Sequence, residues 1–115
     1  MRDFTKLEIW KRTHELTLKI YQITKQFPKD ELFGLTSQIW RSASSIPTNI
    51  AEGCGRNSRQ QLKHFFQIAI GSNSELLYQL ILSKDLQYMS ETSFINLYDE
   101  TIQVSKMIYS YGEKL

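Results

Sequence analysis

Residues 94–115, FINLYDETIQVSKMIYSYGEKL, place an apolar side chain or threonine at alternating steps of three and four residues. This heptad spacing is typical of left-handed helical bundles whose axes cross at about 20°. Ser90 occupies the position expected of a helix N-cap. We therefore predict a helix at about residues 91–114. Its stripe consists of Phe94, Leu97, Thr101, Val104, Ile108, Tyr111 and Leu115.

The beginning of the chain has a comparable stripe. Thr5 and Glu8 have the spacing of a capping box, in which each side chain bonds a free backbone N–H of the first turn. Pro28 interrupts the pattern, because proline cannot donate a backbone hydrogen bond. These signals predict a first helix at about residues 6–27, with core positions Ile9, Thr13, Leu16, Ile20, Ile23 and Phe27.

A second helix is predicted at about residues 31–54, opened near Asp30. Pro47 lies inside it and leaves the carbonyl of Ala43 without its helical donor. Two alternatives follow: one helix that kinks near Pro47, with Ser44 or Ser45 bonding the freed groups, or two shorter helices. The stripe of this segment is Leu32, Leu35, Ile39, Ala43, Ile46 and Ile50.

The third helix is predicted at about residues 58–86, with Ser58 as its cap. Gly53 and Gly55 just before it read as the stop signal of the second helix, and Gly71 within it as a close-packing point. Apolar residues surround nearly its whole circumference, which a 115-residue monomer cannot cover. We therefore predict a subunit interface at Ile68, Ile70, Leu77, Tyr78 and Ile81.

Length and composition agree with one all-α domain over residues 1–115. The chain is 41% apolar, has two prolines and five glycines, and shows no strand alternation. Short connections turn each helix antiparallel to the one before, which predicts an up-down-up-down left-handed four-helix bundle. We find no signal peptide and no membrane-spanning segment, so we expect a cytoplasmic protein with no membrane partner, whose single Cys54 stays reduced.

Charge is unevenly distributed although the formal net charge is only +2. Residues 1–63 contain eleven Lys or Arg and six Asp or Glu, whereas residues 64–115 contain three and six. The longest stretch without a carboxylate begins at Gly53 and holds Arg56, Arg59 and Lys63. This corner is either a solvated helix start or a surface that meets phosphates.

No pattern supports catalysis, a metal or a cofactor. GCGRNS lacks the spacing and the lysine of a phosphate-binding loop, and neither histidine follows a glutamate at the spacing of di-iron bundles. Ser45, Glu52 and His64 could form a triad only if the fold happened to join them. Asn49 and Glu52 are either a polar pair that ties helix two to a neighbour, or part of a site with Arg56. We expect a protein that is not an enzyme.

The stretch SIPTNIAEGCGR at residues 45–56, with GLTSQIWRSA before it and FFQIAIGSNSELLYQLILSKDL after it, resembles the 23S ribosomal RNA intervening-sequence family of four-helix bundle proteins. The resemblance implies a ring, typically a homopentamer, with no established enzymatic activity. Some members are encoded within insertions in ribosomal RNA genes. A related branch, the accessory variability determinants of diversity-generating retroelements, binds nucleic acid and a reverse transcriptase. Matching motif positions are Arg41, Ser45, Pro47, Asn49, Glu52, Gly53 and Arg56.

Two functional hypotheses follow from these observations. The first is a homo-oligomer that binds RNA or an RNA-binding protein through Arg41, Arg56, Arg59 and Lys63. The second is a scaffold that binds another protein and no nucleic acid.

Overall fold

The computed structural model describes residues 2–115, and these residues form four α-helices and no strand. None of the helices in this part of the chain is both long enough and apolar enough to span a membrane. The molecule measures 43 × 24 × 20 Å. The helices are α1 (Glu8–Ile23), α2 (Leu35–Cys54), α3 (Arg59–Asp85) and α4 (Glu91–Glu113). Short 3₁₀ turns are found at Phe4–Lys6, Thr24–Gln26 and Lys29–Glu31.

Cross-helix contacts show how α1 and α4 run. Arg12 of α1 donates to the Gln103 side chain of α4 at 3.0 Å. Lys19, two turns further along α1, pairs at 2.6 Å with Glu100, which lies earlier in α4. The two helices are therefore antiparallel. The connections between α2 and α3 and between α3 and α4 are short, so these helices also reverse direction.

The start of α1 differs from the predicted capping box. The Asp3 carboxylate accepts from the backbone N–H of Thr5 at 3.1 Å and from its hydroxyl at 2.6 Å. Thr5 is thereby held in a 3₁₀ turn, and its hydroxyl is committed to Asp3. Leu7 stands at the N-cap without a side-chain bond, and α1 begins at Glu8. The capping box is wrong because Thr5 lies within this 3₁₀ turn, two residues before the N-cap of α1.

Helix α2 begins at Leu35, later than the predicted start at residue 31. The segment before it forms a 3₁₀ turn, and Gly34 at the N-cap departs from helical backbone geometry, with φ −115° and ψ −115°. The Glu31 carboxylate accepts from the backbone N–H of Leu35 at 3.2 Å and so supplies the helix start. Leu32, predicted as a core position, lies in the turn and is exposed.

Pro47 lies inside one continuous helix, so the alternative of two shorter helices is wrong. The carbonyl of Ala43, which the proline cannot bond, accepts from the Thr17 hydroxyl of α1 at 3.1 Å. The same hydroxyl is 2.8 Å from the Thr13 carbonyl, so its single proton is shared between two acceptors. A neighbouring helix, and not a serine of α2, satisfies the freed group.

The stop signal predicted at Gly53 and Gly55 is confirmed for Gly55, the C-cap of α2, whereas Gly53 lies inside the helix. Gly53 is buried within α2, and a Cβ atom there would lie 3.1 Å from both Leu62 and Phe65 of α3. Gly53 therefore permits close approach of the two helices, while Gly55 forms the C-cap. Gly71 is exposed, and a Cβ atom there would have no neighbour within 4 Å. The prediction that Gly71 is a close-packing point is wrong.

The hydrophobic core draws on all four helices, and the N-cap predictions for α3 and α4 are confirmed. Ser58 accepts from the backbone N–H of Gln61, and Ser90 accepts from that of Ser93, each at 3.1 Å. The largest fully buried apolar side chains are Leu16, Ile20, Ile39, Ile46, Ile50, Phe66, Leu76, Leu80, Val104 and Ile108.

One amide lies in this core between α3 and α4. Asn73 has no exposed surface, and its Nδ2 donates to the Thr101 carbonyl at 3.0 Å. Its Oδ1 atom has no hydrogen-bond partner within residues 2–115. The core therefore provides an acceptor for the amide N–H of Asn73 and leaves its amide oxygen without a hydrogen bond.

Candidate functional site

A cluster of basic side chains lies where the α2–α3 connection meets the N-terminal segment. Arg2, Arg56 and Arg59 line one depression of about 290 Å³. The backbone N–H of Arg2 donates to the Cys54 carbonyl at 3.0 Å, which holds the N-terminal segment against the end of α2. We call Arg2, Arg56, Arg59 and Lys63 the basic end. Arg2 was not among the predicted residues, because only a long-range backbone contact brings it there.

Arg56 and Arg59 differ in whether a nearby acidic side chain pairs with them. The Arg56 guanidinium pairs with Glu52 at 3.3 Å and lies 5.0 Å from the centre of the Phe65 ring. Both partners of this ion pair are substantially exposed, so the pair is weak and open to exchange. Within residues 2–115, Arg59 belongs to no ion pair. Its charge is therefore free to meet an anion.

Lys63 follows Arg59 by one helical turn and lies on the same side of α3. It lines a neighbouring cavity of about 330 Å³ between α3 and α4. The first turn of α3, residues 59–62, has no acidic side chain, and its backbone N–H groups add positive potential at this end. Three of the four predicted nucleic-acid-binding residues are thus close together.

Arg41, the fourth predicted residue, is separate from the basic end. It lies in α2 about 20 Å from the C-terminal end of that helix, from the rise of 1.5 Å per residue. Its guanidinium donates to the Ser37 hydroxyl at 3.0 Å. The structure therefore places Arg41 at a different surface.

The motif residue Ser45 connects α2 to α3, and Asn49 bonds Ser45 within α2. Asn49 Nδ2 donates to the Ser45 carbonyl at 2.8 Å and to its hydroxyl at 2.9 Å. The Ser45 hydroxyl lies 2.8 Å from that of Ser72 in α3. The Ser44 hydroxyl is 3.5 Å from the Arg41 carbonyl. Neither serine bonds the carbonyl freed by the proline, and Asn49 acts within this interhelical network.

No catalytic grouping is formed by the residues that the triad hypothesis named. Ser45 bonds Asn49 and Ser72, Glu52 bonds Arg56, and the His64 ring packs against Phe65. Within residues 2–115, no three His, Cys, Asp or Glu side chains gather as metal ligands.

Cys54 is a buried free thiol. Burial raises the pKa of Cys54 above that of a free cysteine, although the charge of Arg2 acts in the opposite direction. The protonated thiol therefore predominates near neutral pH, and a thiol in this state is a poor nucleophile.

The residues of the predicted subunit interface fall on two sides of α3. Ile70, Leu77 and Ile81 are half-buried, and Tyr78 is 62% exposed. Ile68 is 38% exposed, but it precedes Ile70 by two residues and so lies about 200° away around the helix. Ile68 therefore does not share a surface with Ile70, Leu77 and Ile81, and Tyr78 lies between the two sides, about 80° from both Ile68 and Ile70.

Helix α4 contributes a matching apolar stripe that the predictions did not include. Ile95 and Tyr109 are exposed, and Tyr98 and Ile102 are half-buried. Their steps of three, four and seven residues put them on one side of α4, a signal that was present in the sequence. Tyr109 lines the same cavity as Ile70 of α3. We call the surface made by Ile70, Leu77, Tyr78, Ile81, Ile95, Tyr98, Ile102 and Tyr109 the α3–α4 apolar face.

Apolar side chains are also exposed at the other end of the bundle. Phe33 is 95% exposed in the turn before α2, and Leu32 beside it is exposed as well. The Tyr88 hydroxyl in the α3–α4 connection donates to the Glu31 carboxylate at 2.8 Å, which joins the two connections. This bond raises the pKa of Tyr88 above its ordinary value.

The chain is similar to proteins of one known family over nearly its whole length. A family model described as 23S rRNA-intervening sequence protein matches residues 5–110. A crystal structure from Bacteroides thetaiotaomicron VPI-5482, described as a protein with unknown function from the S23 ribosomal protein family, is similar with a TM-score of 0.84. It is 23% identical, and the match covers 91% of this chain and 95% of that one. No curated protein matches this chain.

Proposed function

The chain belongs to the 23S rRNA-intervening sequence protein family, and we propose that it is a non-enzymatic protein that assembles into a ring, a homopentamer, and binds RNA through its basic end. The observation that carries this proposal is the convergence of Arg2, Arg56 and Arg59 on one depression beside the first turn of α3. Phosphate contacts dominate the affinity of proteins for nucleic acids. A surface of free and weakly paired arginines fits that role.

Assembly would multiply this surface. One copy offers four basic side chains, which is a small footprint for RNA, and a formal charge of +2 provides little long-range attraction. In a ring, each copy adds its own basic end, so one RNA can engage several copies. The α3–α4 apolar face supports assembly, because a row of half-exposed Ile, Leu and Tyr side chains is typical of a surface that a partner covers.

The RNA proposal is tested by neutralising the basic end. We expect the triple variant Arg56→Gln, Arg59→Gln, Lys63→Gln to bind structured RNA at least about tenfold more weakly near 100 mM salt, and to reduce the slope of log K against log salt by about 2. Fluorescence anisotropy over a salt series measures both. The control carries the same charge change elsewhere, as Lys25→Gln, Lys29→Gln, Lys106→Gln. Equal losses in the two variants, or wild-type binding that does not depend on salt, would contradict the proposal.

The assembly proposal is tested at the apolar face. We expect wild-type protein to scatter light as an oligomer and the variant Leu77→Asp, Ile102→Asp to scatter as a 13.5 kDa monomer with its helical circular dichroism retained. Leu18→Asp on the exposed side of α1 is the control and should leave the mass unchanged. A 13.5 kDa wild-type particle at micromolar concentration would refute assembly.

A second candidate function is a scaffold that binds another protein. The nearly complete exposure of Phe33 favours it, since large aromatic side chains are common anchors of protein interfaces. A partner recovered by wild-type protein after nuclease treatment, and lost with Phe33→Ser, would favour the scaffold over the RNA-binding role.

A further inference from the structure

A polar groove of about 640 Å³ runs between α2 and α3, away from the basic end. All nine side chains that line it are polar or charged, although grooves that bind small ligands are usually lined mostly by apolar groups. Five of the nine carry hydroxyl groups. These are Ser42, Ser44, Ser45, Thr48 and Ser72.

Opposite charges stand on the two walls of this groove. The Ser45 hydroxyl of α2 lies beside the Ser72 hydroxyl of α3. Because the two helices are antiparallel, Arg41, one turn before Ser45, and Glu75, about one turn after Ser72, lie at the same level on opposite walls. Both line the groove, yet neither belongs to any ion pair formed by residues 2–115. Arg41 donates only to the neighbouring Ser37 hydroxyl. The groove therefore presents one exposed cation and one exposed anion on opposite walls, and neither is in an ion pair of the described residues.

Gln79 provides a third, independent observation. It follows Glu75 by one turn on the α3 wall, and its side chain is only 7% exposed. Its Oε1 atom has no hydrogen-bond partner within residues 2–115. Buried side-chain acceptors without partners are rare in native proteins. The α3 wall thus combines the exposed Glu75 carboxylate with a buried amide oxygen that lacks a donor, and a rotation of the Gln79 side chain toward the groove would let an ammonium group bond both.

We infer that this groove binds a short peptide zwitterion, with its ammonium group against Glu75 and Gln79 and its carboxylate against Arg41. Packed helices lie about 8–10 Å apart, and an extended chain covers about 3.3–3.6 Å per residue, so two or three residues span the walls. The Ser45 and Ser72 hydroxyls already bond each other, so Ser42 and Thr48 are left to face the peptide bonds of the ligand. A nucleotide fits less well, because Glu75 repels phosphate and the lining offers no aromatic ring for a base.

Calorimetric titration with triglycine, N-acetyl-triglycine and triglycine amide tests this inference. We expect wild-type protein to bind triglycine and each capped form to bind at least about tenfold more weakly, because each lacks one charge-assisted contact. Arg41→Gln should weaken triglycine by a similar factor and leave the affinity for triglycine amide unchanged. Glu75→Gln should weaken triglycine and leave N-acetyl-triglycine unchanged. Lys25→Gln, outside both the groove and the basic end, is the control and should bind like wild type.

Three results would overturn the inference. One is the absence of triglycine binding up to about 10 mM, where a ligand with a Kd near 1 mM saturates most of its sites. Another is equal binding of the free and capped peptides. The third is a change in particle mass by light scattering for Arg41→Gln or Glu75→Gln, which would assign these charges to a contact between copies. The RNA titration of the basic-end variants is independent of all three.

Discussion

Replacing Phe66 by alanine is expected to lower the free energy of unfolding by about 3–5 kcal/mol. Phe66 is 2% exposed at the centre of the core, and its ring stacks on that of Tyr111 with centroids 5.1 Å apart. The substitution deletes an apolar ring that is buried away from water. It also leaves a cavity that the surrounding helices fill only in part. For a protein of this size, such a loss is a large fraction of the total stability.

Urea denaturation followed by circular dichroism measures this loss, at one fixed protein concentration because assembly would also stabilise the fold. Phe33→Ala is the matched control. The same atoms are removed from a side chain that is 95% exposed, so we expect a change within about 0.5 kcal/mol. Similar losses in the two variants would show that burial in this core does not determine stability.

Replacing Asn73 by aspartate is expected to destabilise the protein by about 3–4 kcal/mol at pH 7. The amide Nδ2, which donates to the Thr101 carbonyl, becomes an oxygen that faces another acceptor. The side chain has no exposed surface, so burial raises the pKa of the new carboxyl in the folded state. Keeping it protonated at pH 7 costs about 4 kcal/mol from an unfolded pKa of about 3.9, and this sets the scale of the effect.

The pH dependence of this variant has a defined sign. Between the unfolded pKa and the raised folded pKa, the unfolded state binds fewer protons than the folded state, so stability falls as pH rises. We expect a loss of up to about 1.4 kcal/mol per pH unit above about pH 4, relative to wild type. Asn96→Asp, at an exposed position of α4, should show neither the loss nor the slope. A flat difference between pH 4 and pH 7 would mean that position 73 is hydrated.

The four helices could be predicted because their apolar stripes and two of their N-caps are local features. The predicted starts of α1 and α2 were wrong because each depends on a side chain outside the expected motif. Asp3 caps the 3₁₀ turn that contains Thr5, and Glu31 accepts from the first backbone N–H of α2. The periodicity of apolar residues does not reveal which polar side chain will bond a free backbone N–H at a helix start. The close packing at Gly53 and the open space at Gly71 were missed for a related reason, since close approach depends on which face of a helix meets its neighbour.

The candidate surfaces show the same limit. Arg56, Arg59 and Lys63 are near one another in sequence, so their proximity could be predicted from spacing. The separation of Arg41 from them, and the arrival of Arg2 beside them, depend on how far α2 extends and where the N-terminal segment returns. The apolar stripe of α4 was readable at steps of three, four and seven residues. It was hidden because the stronger core heptad occupies the same helix.

The hydrogen bond from Thr17 to the Ala43 carbonyl has a consequence for evolution of this chain. Pro47 creates an acceptor that the Thr17 hydroxyl of α1 reaches at 3.1 Å, so this bond favours one axial position of α1 against α2. A shift by one turn, about 5.4 Å, would leave that acceptor buried and unbonded. Positions 17 and 47 should therefore covary: a relative that keeps the proline needs a hydroxyl at 17, whereas one with another residue at 47 is released from it.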